Sequence, residues 1–269
     1  MAKRPTQSDD SRPVLVLASG SEGRRQFLHD EIYSVLRKAL ENGEFAPGRS
    51  FSMRWLAERF GTSLIPVRDA LKRLVAEGAL QLLPNRTVCV PLMTRARFQE
   101  LLSVRLYLEP MLTRRATEII DYATVSELEA INNDMQLGAR SGDIHRYLSK
   151  NSAFHFKLYS QTDSEVALPI VKNLWGQVGP FLNAVFNQAG TSAAKDHHGE
   201  ILRALRRRDA LAAGEAICRD LGEAADLILA RSNFVLDAQV GSAKPGAAAP
   251  EQDDESIEKA NRSSLHQGP

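Results

Sequence analysis

Ser63-Leu-Ile-Pro-Val-Arg-Asp-Ala-Leu-Lys-Arg-Leu-Val-Ala-Glu-Gly78 is a helix written out with its own punctuation. It opens on a residue type that caps helices and closes on a glycine, the usual stop. Val67, Leu71, Leu74 and Val75 recur at helical spacing and predict one inward face. Arg68, Lys72 and Arg73 populate the outer face. A short cationic helix near the start of a chain needs a reason for its charge.

The neighbouring segments supply the context. Periodicity predicts helices at about 24–42, 52–60 and 64–77. Two short β runs follow, Leu80-Gln-Leu-Leu83 and Thr87-Val-Cys-Val90, around Pro84-Asn-Arg86, as in a hairpin. Three short helices and a hairpin describe a winged helix-turn-helix. Gly61 supplies the tight turn between the second and third helices, and Ser63 caps the third. That third helix is the one that enters a DNA major groove by its N-terminal end. Arg68 is placed to meet a guanine edge or a phosphate, and Lys72 or Arg73 the DNA backbone. Arg86, at the hairpin tip, is placed for a phosphate or the minor groove. Plain solvation is the alternative fate of these charges.

Composition sets the outer bounds. A length of 269 residues suits two domains. A hydrophobic content of 43% and a charged content of 25% are those of an ordinary globular chain. Cys89 and Cys218 lie far apart with no CxxC, which offers neither a disulfide framework nor a thiolate metal site. A reducing, cytoplasmic setting is expected. Val14-Leu-Val-Leu-Ala18 is too short for a signal segment, and no run approaches the ~18 apolar residues of a membrane span. Residues 24–97 carry 13 Lys/Arg against 7 Asp/Glu, a net of +6, while residues 98–237 carry 15 against 18, a net of −3. A polyanion partner for the front of the chain fits that asymmetry.

The expected organisation is mainly α. A disordered extension over 1–23 precedes a winged helix-turn-helix domain over 24–93. An all-α helical bundle over 94–237 follows, with helical periodicity through about 94–120, 124–139, 143–161, 164–188, 192–208 and 209–233. A disordered tail over 238–269 contains Gly241-Ser-Ala-Lys-Pro-Gly-Ala-Ala-Ala-Pro250.

The front motifs carry a resemblance. Ile32-Tyr-Ser-Val-Leu-Arg-Lys-Ala-Leu40, Pro47-Gly48, Leu56-Ala-Glu-Arg-Phe-Gly61, Pro66-Val-Arg-Asp-Ala-Leu71 and Leu74-Val-Ala-Glu-Gly78 together resemble the GntR family of bacterial transcription regulators. The resemblance implies that Arg54 and Arg68 contact DNA. It also exposes a departure: Ser63-Leu64-Ile65-Pro66 stands where the family usually carries Ser-Arg-Thr-Pro, and Thr87 stands at a usual wing glycine. A lost bidentate Arg–guanine contact removes about 1–3 kcal/mol of discrimination. Ser63 and Leu64 remain at the DNA, with Leu64 and Ile65 placed to touch a thymine methyl instead. An altered operator is expected rather than lost DNA binding.

In the second half, the informative residues are polar ones on apolar helix faces. On helix 143–161 the inward stripe is Ile144, Leu148, Asn151, His155 and Leu158, which stacks Asn151 and His155 on one face. On helix 192–208 it is His198, Ile201, Leu202 and Leu205, with His197 to the side. On helix 209–233 it is Ala213, Ile217, Asp220, Ala224 and Leu227. A buried carboxylate such as Asp220 neutralises or finds a partner. One amide, two imidazoles and one carboxylate are acceptable ligands for Zn²⁺, Ni²⁺ or Mn²⁺, with positions left for water or a ligand oxygen. Hydrogen-bonded core histidines and an Asp220–arginine pair are the other reading. Arg105 lies on the stripe Phe98, Leu101, Leu102, Arg105, Leu108 and Leu112, one turn before Glu109. It is either half of an i,i+4 pair or the cation that meets an effector carboxylate.

Val104-Arg-Leu-Tyr-Leu-Glu109, Phe154-His155 and His198-Gly-Glu-Ile-Leu-Arg-Ala-Leu205 resemble the FCD ligand-binding domain of the FadR subgroup. That resemblance implies a helical bundle holding a divalent metal through one Asp and three His. His155 and His198 match the pattern, Asn151 stands at its Asp, and Asp220 stands at its third His. A small organic acid is implied as effector, with Arg105 beside it, in preference to acyl-CoA. The resemblance also implies a homodimer on a palindromic site in double-stranded DNA. No GxSxG, HExxH or phosphate-cradling glycine loop is present in the sequence. The expectation is a ligand-responsive regulator and not an enzyme. A metal-dependent hydrolase and a DNA-binding protein without an effector are the alternatives.

Overall fold

A computed structural model describes residues 28–84, 87–189, 197–232 and 234–235. The extensions expected at 1–23 and 238–269 lie outside the described residues, as does Arg86.

Local chemistry explains the front elements. Helix α1 spans Leu28–Glu41, strand β1 Ser50–Phe51 and helix α2 Met53–Phe60. Ser52 caps α2 by accepting from the Trp55 N–H, and Gly61 ends it at φ +60° with its own N–H on the Ala57 and Glu58 carbonyls. Helix α3 then runs Leu64–Ala76. Strands β2, Gln81–Leu82, and β3, Val88–Cys89, pair antiparallel as the expected hairpin. The reading of the sequence missed β1, which pairs with the other edge of β3 through Ser50 and Cys89, giving the order β1-β3-β2. Two residues are too few to display an alternating pattern. Ile32, Leu36, Leu40, Leu56, Val67, Leu71, Leu74 and Val88 form the core beneath these elements.

The elements that follow are helices: α4 Arg95–Ile119, α5 Tyr122–Ser141, α6 Ile144–Tyr159, a 3-10 turn Ser160–Thr162, α7 Ala167–Ala189, α8 His197–Arg206 and α9 Ala210–Arg231. Thr94, Asp121, Asp143 and Asp209 each cap the helix that follows with a side-chain oxygen. Leu112, Leu128, Phe154, Leu158, Trp175, Ile201 and Ile217 pack in one core, and Phe98, Met135, Leu148, Phe181, Val185 and Ile228 in a second.

A close joint ties the front elements to the bundle. A Cβ on Gly179 of α7 would lie 2.3 Å from the Leu40 carbonyl oxygen and 2.7 Å from that of Glu41, so only glycine admits the end of α1. Ser152 of α6 donates to the Asn42 side chain at 2.8 Å. Gln177 of α7 receives Arg97 at 3.0 Å and donates to the Glu77 carbonyl at 3.3 Å.

Candidate metal centre and DNA-reading face

Three of the singled-out side chains meet inside the bundle. His155 Nε2 lies 3.2 Å from His198 Nε2 and 3.3 Å from Asp220 Oδ2. His198 Nδ1 lies 3.7 Å from Asp220 Oδ1. His155 is 0% and His198 2% exposed. Their helices bring them together for simple reasons. Asp143 starts α6, Asp209 starts α9, and each imidazole or carboxylate sits on the apolar stripe that packing turns inward. Burial alone would raise the Asp220 carboxyl, but the imidazoles of His198 and His155 outweigh it and hold the group well below the usual carboxylate range.

A chain of hydrogen bonds fixes which atoms face the centre. Glu109, fully buried, accepts from Arg105 Nε at 2.6 Å, Tyr159 Oη at 2.7 Å and Trp175 Nε1 at 3.1 Å. Burial, reinforced by the Glu109 carboxylate, pushes the Tyr159 hydroxyl well above its ordinary value, so it remains an O–H. With that proton directed to Glu109, the 2.9 Å contact to His155 requires Nδ1–H of the imidazole to be the donor. In the neutral imidazole Nε2 then presents its lone pair to the centre, and in the protonated one it donates to Asp220. In the neutral form, one proton on His198 Nε2 satisfies the contact between the imidazoles but leaves the Asp220 carboxylate against that lone pair. A cation at the common point satisfies all three groups. Ligands about 2.0–2.1 Å from a tetrahedral Zn²⁺ stand about 3.3 Å apart, which matches the two separations from His155 Nε2, and one donor atom from each of the three residues lies within 4.8 Å of the others. The donor set thus fits a divalent ion, and His155, His198 and Asp220 are the residues that would hold it.

The other singled-out groups fall as follows. Asn151 is half-buried on α6, one turn before His155. Arg105 is taken up by Glu109, the i,i+4 pair that the spacing allowed, and its guanidinium covers the Trp175 ring at 4.8 Å. His197, read as lying to the side, is buried, with Nε2 2.5 Å from Glu223 and Nδ1 3.7 Å from Glu200. Sequence reading missed Tyr159 and Trp175. Tyr159 follows His155 by one turn on the same stripe, so its position carried a signal; Trp175 reaches the centre only through the packing of α7.

At the front, α3 presents its N-terminal end outward. Leu64 is 50% and Ile65 63% exposed. Arg54, Ser63 and Leu64 border an open groove of about 470 Å³ between α2 and α3. Ser63 occupies the cap position with extended backbone, but its hydroxyl makes no capping bond. Arg68 and Lys72 reach Asp69 only at 3.6 and 3.9 Å. Exposed pairs of this kind contribute about 0–1 kcal/mol, so both cations can transfer to phosphate. Arg73 instead turns back onto α1, stacking on Tyr33 at 3.7 Å from its ring centre. Lys72 is thus the outward cation of the two that the sequence left open.

Comparison with known proteins agrees with this arrangement. Residues 28–90 match the family of bacterial regulatory proteins of the gntR type, and residues 100–223 match the FCD domain. The HTH-type transcriptional regulator McbR of Escherichia coli strain K12 is 26% identical over 66% of this chain and 82% of its own length. The HTH-type transcriptional repressor RspR of the same strain is 24% identical over 76% of this chain and 90% of its own. The solved structure of E. coli McbR/YncC superposes with a TM-score of 0.73 at 24% identity, covering 77% of this chain and 99% of that one, a likeness of fold. The chain belongs to the gntR family of bacterial regulatory proteins: it is a DNA-binding transcription regulator whose helix-turn-helix segment is followed by an FCD domain.

Proposed function

We propose that this regulator senses a small organic acid through a divalent metal held in the bundle, and that it answers by changing its grip on operator DNA. The observation that carries the reading is the buried convergence of His155, His198 and Asp220, with the His155 lone pair oriented by Tyr159. His155, His198 and Asp220 would hold Zn²⁺, Ni²⁺ or Mn²⁺, with Asn151 as a further neutral donor. When bound, the ion supplies open positions for the carboxylate oxygens of the effector. Arg105, sharing the Trp175 wall with His155, is proposed to face the same carboxylate.

In this reading the reader is residues 24–93 and the sensor residues 94–237. Arg54, Ser63, Leu64, Arg68 and Lys72 meet DNA, as does Arg86 at the hairpin tip. Two chains pair as a homodimer on two half-sites. Ser152, three residues before His155, and Gly179, four after Trp175, both lie at the joint to α1, which supports a population shift carried from bundle to reader. The name of RspR supports repression as the sense of the response. The cytoplasm, where chromosomal DNA is, is the expected compartment; no helix among the described residues is long and apolar enough to cross a membrane.

A gel shift on DNA upstream of its own gene tests the reading, combined with thermal shift against di- and hydroxycarboxylates with and without chelator. The expected result is a carboxylate that raises the melting temperature only when metal is present and that alters the shift. Stabilisation indifferent to chelator removes the metal from the account. DNA binding that ignores every ligand favours a protein without an effector. Failure to bind any DNA favours a metal-dependent hydrolase.

A further inference from the structure

We propose that the reading helix identifies thymine through its 5-methyl group, using the adjacent apolar side chains of Leu64 and Ile65. This rests on the assignment of α3 as the helix that enters the DNA. Val67, Ala70, Leu71 and Leu74 supply the inward face of α3, and neither Leu64 nor Ile65 is among the residues packed on that core. Both instead stand half or more exposed on the first turn of the helix, the part that reaches base edges in the major groove. The flanking groups are those of a DNA contact: the uncommitted Ser63 hydroxyl, Arg54 across the groove, and Arg68 one turn further along the face of Leu64.

The side chains themselves restrict what can be read. Leucine and isoleucine have no donor or acceptor, so they cannot answer the O6 and N7 acceptors of guanine or the N7 and N6 groups of adenine. Pressed against those edges they would leave polar atoms dry and unpaired. Thymine presents the one apolar group of the major groove, its C5-methyl. A half-site with thymine opposite the start of α3, and a guanine or phosphate contact at Arg68 one turn behind, satisfies every group.

The test uses the full chain. DNA is selected from a random pool, and each thymine of the selected half-site is then replaced singly by deoxyuridine, which lacks only the methyl. One or two positions should lose about three- to fivefold in affinity, the worth of one buried methyl-sized group. In a Leu64→Ala/Ile65→Ala variant, thymine and deoxyuridine probes should bind alike at those positions. Both residues are exposed, so an unchanged melting temperature verifies that the variant is folded. Deoxyuridine tolerated at every position overturns the proposal, as does an equal loss in the variant, which would assign the methyl to another residue. Failure to select any DNA instead removes the assignment of α3 as reader, and this proposal with it.

Discussion

The two halves of this chain break the ordinary partition of residues in opposite directions. The front leaves Leu64 and Ile65 in water, while the bundle buries two imidazoles against a half-buried carboxylate. The energetic standing of the two inversions differs. An exposed leucine costs a fold almost nothing and gains only when a partner covers it. Buried ionisable groups are costly unless every lone pair is answered. The bundle answers them internally, through Arg105, Glu109, Tyr159 and Trp175, up to the centre itself. The front therefore leaves its unusual residues to something outside the chain, whereas the bundle answers its own from within. Substitutions at the centre should register as stability and metal affinity, whereas those at the reader should register as DNA affinity alone.

The sharpest contrast comes from Glu109→Ala. It strands Arg105 without its partner in the core and should destabilise the fold by about 3–5 kcal/mol. In calorimetry that is a fall of about 10 °C or more in melting temperature. An unchanged midpoint would mean that the buried network is not structural. Tyr159→Phe comes next, because it frees the His155 tautomer while keeping the ring. Metal affinity, measured by competition with a chromogenic chelator, should weaken about 10- to 100-fold with the fold intact. No change would show that Tyr159 does not orient the ligand.

At the reader, Arg68→Ala should weaken binding to a selected operator by about 1–3 kcal/mol in a gel shift. Arg140→Ala, an exposed position on α5, should leave it unchanged. Equal effects would remove the assignment of α3. Leu64→Ala should produce the smallest response, within about 0.5 kcal/mol of parental stability by denaturant titration. A larger loss would place Leu64 in the core and close the comparison.

Much of this was legible because both periodicities are local. The stripes through His155, His198 and Asp220 appear in the sequence as apolar residues at helical spacing, and the chain of caps at Asp143 and Asp209 marks where those helices begin. What could not be read depends on packing between distant segments. Glu109 gathers donors from α4, α6 and α7, and no one helix shows that meeting. Arg73 shared its outward label with Lys72 until Tyr33 of α1 captured it. The pairing of Ser50–Phe51 with β3 was hidden by its brevity, and the Gly179 joint by the fact that a glycine's empty side is visible only once α1 is laid against it.

The most direct measurement is the metal content of purified protein after exhaustive dialysis, comparing the parent with His155→Ala/His198→Ala by elemental analysis. The parent should retain close to one first-row divalent ion per chain and the variant almost none. Equal content in the two proteins would contradict a metal centre at these residues.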